Sequence, residues 1–533
     1  MKPTSKDIET AGMEAGGKQS AKEEAHSGFA ERAGRVLAER LERRAEPDAS
    51  GSGAAAAVSG TPDAAAEAGT CVLCGREVAG GESVRLDAYR SPQRELLLRW
   101  IAGEMPALDG AALFHRRCLE DAERRMQQAQ TRRENGVLFF VDLALGRTPI
   151  LPTPMRMNAD LRFTGRGVTI AFIDSGFYPH TDLTHPSHRL LAIYDAVRGR
   201  EIRSIERMAA NDPPVEAWHG TMAAATAAGS GTASGGEYRG IACESRLVLV
   251  RAMTRRYRIR TPQVVRALEW VRENRRRLDI RVVNMSLGVD ETTDSLQHPV
   301  IALVEELSAM GVVMVAASGN NPANPIKPPG AAPSAITVGG YNDHNSTEWM
   351  RREVWHSSYG NTPGQVRKPE LLAPAIWVAA PILPRTAVKR EADALFRLAG
   401  SGDAELMALI PSLAGATAVA RELRTAQDPL AARGIVLARI ASEKMITADY
   451  KHVDGTSFAA PIVSSVVAQM LEARPDLTPV QVKQILCATA APIANVPQEV
   501  QGYGVVDAAA AVRMVLSLPG AGGLEPGMRA VSE

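Results

Sequence analysis

Four short segments carry side chains whose types and order suit acyl transfer. Ile173-Asp174-Ser175-Gly176 closes an apolar run with a carboxylate followed by residues that permit a sharp turn. Trp218-His219-Gly220-Thr221 sets an imidazole ahead of the small-residue run MAAATAAG, and Ser318-Gly319-Asn320 offers a side-chain amide. Gly455-Thr456-Ser457-Phe458-Ala459-Ala460-Pro461 is a glycine-led turn into an apolar stretch, with Ser457 near its start. A serine hydroxyl is a weak nucleophile. It needs an adjacent base, and that base needs an acid to fix its tautomer and stabilise its charged form. Ser457, His219 and Asp174 are candidates for these roles. A tetrahedral intermediate also needs donors aimed at its developing negative charge, for which the Asn320 amide and the Ser457 backbone N–H are suited. Each segment alone is common in proteins; their occurrence together, in the order Asp, His, Asn, Ser, is far more specific.

A second constellation lies upstream. Cys71 and Cys74 are separated by two residues, as are His115 and Cys118. Two such pairs suit a tetrahedral zinc ion, the first on a tight turn and the second entering a helix expected over 116–134. The order resembles a treble-clef zinc finger and implies a structural Cys3His site (Cys71, Cys74, His115, Cys118) with no open position for catalysis. The competing reading is a reduced cysteine trio beside an unrelated histidine. A redox pair at Cys71 and Cys74 lacks a thioredoxin-like setting.

The elements that must position the first constellation follow from periodicity. Apolar strand-like runs at 168–174, 245–253, 281–288, 311–319 and 335–341 alternate with segments whose apolar residues recur at three and four, notably 263–277 and 298–310. That alternation predicts a mostly parallel sheet with helices on both faces, an α/β fold whose reactive groups sit at strand ends and helix starts. Around it, residues 1–69 have a composition too poor in apolar groups to offset chain entropy. Residues 70–135 form the zinc-module candidate, 150–515 the catalytic domain, 382–446 an Ala- and Leu-rich helical insertion, and 516–533 a tail.

At this point the chain resembles the subtilisin-like serine proteases over about 160–379 and 447–515. IDSG resembles that family's aspartate motif, HGT its histidine motif, AASGN its oxyanion-asparagine segment and GTSFAAPIV its nucleophile motif. MSLG (285–288) and KPELLAPA (368–375) look familial as well. The resemblance implies a three-layer fold and a serine endopeptidase acting on protein or peptide substrates. In it Asp174 orients His219, His219 acts as general acid and base, Ser457 attacks and Asn320 stabilises the oxyanion. It also implies a specificity pocket walled by Ser286, Leu287 and Gly288 on one side and by Ala316 to Gly319, with Ala317 and Gly319 facing it, on the other. Met222, Ala223 and Ala225 depart from the family's usual residues after the histidine, none of them at a triad position. The alternative is a silent or latent scaffold on this fold that acts through its zinc module on a protein partner.

Asp290 and Glu291, just past the pocket wall, admit two readings, a solvated loop or an acidic subsite favouring basic substrate residues. Calcium is common in the family, yet no acidic cluster has a convincing ligand spacing. The 61 basic and 60 acidic side chains of the 533 residues nearly cancel, and the arginines of 251–260 and 273–281 read as a solvated face, so no nucleic-acid partner is expected. No stretch is apolar and long enough to span a bilayer, and the first residues lack the apolar centre of a secretory signal. With five cysteines, an odd number that does not resemble a disulfide framework, the expectation is a cytoplasmic chain with reduced thiols, Cys243 and Cys487 being buried in the core.

Overall fold

The computed structural model describes residues 150–518, apart from Arg203 and 255–257, together with short pieces between Gly69 and Leu119. Nine strands form the main sheet. They are β1 (Thr169–Asp174), β2 (Leu190–Asp195), β3 (Arg200–Glu201), β4 (Arg246–Arg251), β5 (Ile280–Met285), β6 (Val313–Ala317), β7 (Ile336–Asn342), β8 (Glu353–Val354) and β9 (Leu371–Pro374). Their order is β8-β7-β6-β5-β1-β4-β2-β3, with β9 joining β7 off this path. The short strands β3 and β8 pair antiparallel at the two ends, and every other pairing is parallel. This is the α/β architecture anticipated from the alternating runs.

Period-two alternation along the strands divides the core between two faces. Ile170, Phe172, Leu247, Leu249, Val313 and Val315 point to one. Ala171, Ile173, Val248, Val250, Met314 and Ala316 point to the other. Helix α1 (Ala217–Ala228) packs on the first face, and α2 (Thr261–Asn274) and α3 (Pro299–Ala309) on the second. The strands are therefore covered on both sides and read as continuous apolar runs.

Between Ala387 and Ala448 lies a compact helical unit, consisting of α4 (Ala387–Ala399), α5 (Asp403–Leu413), α6 (Ala420–Thr425) and α7 (Pro429–Ser442). Leu395, Leu398, Leu406, Ile410, Leu423, Val436 and Ile440 form its buried side. Glu391 ties two helices by receiving the Arg439 guanidinium at 2.9 Å.

The chain returns to the sheet through β10 (Val378–Pro381) and β11 (Tyr450–Val453), an antiparallel pair, and enters α8 (Thr456–Ala473). Helix α8 is buried almost all round, with Ile462, Val463, Val466, Val467, Met470 and Leu471 at most 1% exposed. Burial of each such side chain contributes about 1.5–3 kcal/mol relative to exposure. Helices α9 (Pro479–Thr489) and α10 (Ala508–Ser517) complete this layer, α9 starting with a capping box between Thr478 and Gln481.

One core assignment needs correction, since Cys243 and Cys487 are half-buried rather than enclosed. Burial nonetheless pushes both thiols up, Cys487 to about 11, so neither is a ready nucleophile. No helix among the described residues is long and apolar enough to cross a membrane. Residues 1–68 lie outside the described residues.

Candidate active site

Asp174 is the last residue of β1, and Ser286 and Ser318 immediately follow β5 and β6, so the parallel arrangement gathers three candidate segments at the C-terminal edge of the sheet. His219 lies in the first turn of α1, and Ser457 in the first turn of α8.

Close packing at Gly220 lets the imidazole reach the carboxylate. A Cβ there would stand 2.4 Å from the Gly176 carbonyl and 3.0 Å from the Asp174 Cβ. His219 Nδ1 lies 2.7 Å from Asp174 Oδ1. The carboxylate only accepts, so Nδ1 carries the proton and Nε2 is left as the basic atom. Asp174 is 1% exposed, and its Oδ1 also accepts from the Ser175 amide at 2.5 Å. Burial works against a charged His219, but the charge and hydrogen bond of Asp174 outweigh it and raise the imidazole's pKa above the ordinary 6.5. The His219 ring stands 5.5 Å, centroid to centroid, from that of Phe458, the residue after the serine.

The Ser457 hydroxyl donates to the Ser286 carbonyl at 3.4 Å, its only hydrogen-bond partner among the described residues. Gly455, at φ +129°, makes the turn that starts α8 where an ordinary residue would be strained. Pro461 lacks the amide that would otherwise bond the Ser457 carbonyl four residues earlier.

The Asn320 side chain is exposed, and its Oδ1 accepts from the Thr456 amide at 3.0 Å and the Thr456 hydroxyl at 2.7 Å. Its Nδ2 has no hydrogen-bond partner among the described residues and lies 3.3 Å from where a Cβ on Gly455 would be. Two groups that sequence reading passed over steady this segment. His356 Nδ1 donates to the Asn320 backbone carbonyl at 3.1 Å, and the Ser358 hydroxyl to the Asn321 carbonyl at 2.6 Å. Neither carries a sequence signal of its own, because the strand order alone brings their loop to Asn320.

Of the pocket residues, Ser286 and Leu287 are buried, Gly288 is exposed, and Ala317 and Gly319 are half-buried. The carboxylates beyond the wall have partners of their own. Asp290 faces the Arg258 guanidinium at 3.6 Å, while Glu291 accepts from the Thr261 hydroxyl at 2.8 Å and lies 3.8 Å from the His298 imidazole.

In KPELLAPA, Glu370 Oε1 receives both Lys368 and Lys483 at 2.6 Å while Oε2 accepts the Thr337 amide at 2.8 Å. Burial lowers the Lys368 pKa to about 8, against the attraction of Glu370. Of the zinc-ligand candidates, Cys71 and Cys74 lie outside the described residues. His115 is described only as part of the strand Leu113–His115, and Cys118 is half-buried. Among the described residues no group of three or more His, Cys, Asp or Glu is placed to hold a metal ion.

Comparison with known proteins bears on this arrangement. Serine protease AprX of Bacillus subtilis is 27% identical over 331 residues, covering 61% of each chain, so this chain spans about three fifths of that relative. Mycosin-1 of Mycobacterium tuberculosis is 24% identical, covering 66% of this chain and 69% of its own. Fervidolysin from Fervidobacterium pennivorans, a keratinolytic enzyme related to subtilisin, is a solved structure at 19% identity and TM-score 0.45, covering 67% of this chain and 45% of its own. The sequence model of the Subtilase family matches residues 165–505. That match takes in well over half of the chain and every element that carries the site, and the chain belongs to the subtilase family.

Proposed function

We propose that this protein is a serine endopeptidase working through an acyl-enzyme intermediate. The observation that carries the reading is the 2.7 Å contact between His219 Nδ1 and buried Asp174, which fixes the tautomer that leaves Nε2 basic. Rotation of Ser457 about its Cα–Cβ bond swings its hydroxyl from the Ser286 carbonyl to His219. His219 then takes the serine proton as Ser457 attacks the scissile carbonyl, and the oxyanion receives Asn320 Nδ2 and the Ser457 N–H. His219 returns the proton to the leaving amine, and water, activated by the same imidazole, releases the acyl group. Family membership supports peptides or proteins as substrates.

A second reading, a latent or silent subtilase acting through its N-terminal module, is favoured by one observation, namely that the Ser457 hydroxyl is hydrogen-bonded to Ser286 rather than to His219. A structural Cys3His zinc site at Cys71, Cys74, His115 and Cys118 belongs to the proposal under either reading, with the module around it docking a protein partner. One experiment separates the two. Purified wild-type and Ser457→Ala chains are treated with a fluorophosphonate probe, with the modified peptide mapped and zinc measured in the same samples. Labelling at Ser457 in wild type alone supports the peptidase; no labelling of a folded sample supports the silent scaffold. Absence of stoichiometric zinc under reducing conditions removes the zinc site.

A further inference from the structure

The two expected pocket walls are bridged by a loop with no catalytic motif. The segment Ile326–Gly330 touches both expected pocket walls. At one end, a Cβ on Gly288 would stand 3.4 Å from Lys327 Cβ and 3.8 Å from Lys327 Cδ. The Val289 amide, next in line, donates to the Pro328 carbonyl at 3.0 Å. At the other end, a Cβ on Gly330 would stand 2.9 Å from the Ala317 carbonyl. Gly288 is exposed, and the aliphatic stem of Lys327 lies beside it. Gly288 is two residues, at most ~7 Å of chain, beyond the Ser286 carbonyl that holds the Ser457 hydroxyl. A substrate side chain next to the scissile bond reaches that distance.

Lys327 is half-buried, and its ammonium donates to the Asp290 backbone carbonyl at 3.1 Å. Among the described residues it has no carboxylate within ion-pair distance. The Asp290 carboxylate, the nearest in sequence to the wall, is taken by Arg258. The expected pocket wall is therefore flanked by a positive charge whose stem lies beside Gly288 and which has no carboxylate partner among the described residues. An acidic substrate side chain supplies a carboxylate partner, whereas a lysine or arginine meets a like charge.

We infer that Lys327 is a specificity-determining residue that directs cleavage to peptide bonds following an aspartate or glutamate. This rests on the peptidase reading above, and it replaces the acidic-subsite idea, in which Asp290 and Glu291 would select basic residues.

The test uses the full chain and four chromogenic peptides that differ only in the residue before the scissile bond, Glu, Gln, Leu or Lys. Wild type is expected to show higher kcat/KM for Glu than for Gln or Lys. Lys327→Glu should shift the Glu-to-Lys ratio towards Lys by roughly 10-fold or more, the size of a partly screened charge pair turned from attraction to repulsion. Lys327→Gln should erase the Glu preference without creating one for Lys, and it guards against a folding defect specific to the charge reversal. Cleavage of the Leu peptide by each variant, at whatever rate, shows that the catalytic groups are assembled, and the Glu-to-Lys ratio is then read within each protein. If the Leu peptide is cleaved and the Glu-to-Lys ratio does not move in either variant, the inference about Lys327 is overturned while the peptidase reading stands. If wild type cleaves none of the four and Ser457 takes no fluorophosphonate, the peptidase reading falls, and the inference with it.

Discussion

Asn320 Oδ1 is held twice by Thr456, through its amide and its hydroxyl, so the residue directly before the nucleophile decides which end of the asparagine amide is free. The Asn320 amide proposed as oxyanion donor is thereby tied to the turn that carries Ser457, and the Gly319 amide donates to the same hydroxyl at 3.2 Å. Asn320→Ala should lower kcat by about 10²–10³ with little change in KM, the cost of removing one preorganised donor. Thr456→Val keeps the bulk and loses the hydroxyl. It should lower kcat by about 10-fold, since a loosely oriented donor loses part of its value. Steady-state kinetics on one peptide substrate checks both, and a Thr456→Val enzyme with wild-type kcat would show that the backbone amide suffices.

Because Asp174 raises the His219 pKa above 6.5, and because the imidazole must be neutral to accept a proton, the acid limb of kcat/KM should fall through a pKa above 6.5. Asp174→Asn removes the charge and leaves burial dominant, so the limb should move downward while the rate drops by about 10⁴. A pH–rate profile of the two proteins decides this. Stability follows the opposite sense. A raised folded-state pKa contributes stability that is fully present below pH 6.5 and is lost as pH rises through the folded value.

Glu370 is the shared counter-ion of Lys368, which is fully buried, and Lys483. Glu370→Gln should cost about 3–5 kcal/mol of unfolding free energy in urea, because it strands an ammonium away from water. The pH dependence carries a separate signature. With the Lys368 pKa lowered to about 8 from 10.5, the folded chain binds fewer protons than the unfolded chain between those values, so this group makes stability rise with pH across that window. Lys368→Met should remove the rise.

Much of the candidate site's place in the fold was legible in the sequence because each candidate residue sits in a short, local context. Asp174 ends a β-run, and His219 and Ser457 open small-residue helices that can pack close to a strand edge. The five longest-reading strands were placed within a few residues for the same reason. Leu190–Asp195, Leu371–Pro374 and the pair Val378–Pro381 with Tyr450–Val453 were not read as strands. Four-residue pieces such as LLAP have no usable period, and the parallel partner of Leu371–Pro374, Val338–Tyr341, lies far off in the chain. Lys327 and His356 were missed for a similar reason. Their roles arise from what the fold sets opposite them, Gly288 in one case and the Asn320 carbonyl in the other, and no spacing rule connects those positions.

The burial of α8 bears on how such a molecule would end its working life. Segments open independently when few buried contacts hold them, and a helix enclosed on nearly every side opens only with the whole core. Ser457 rides on the first turn of that helix. Autolysis would therefore begin at exposed loops elsewhere, and a molecule nicked there would keep an intact nucleophile until global unfolding released it. Loss of activity during self-digestion should accordingly follow the unfolding rate of the core rather than the rate of the first cuts.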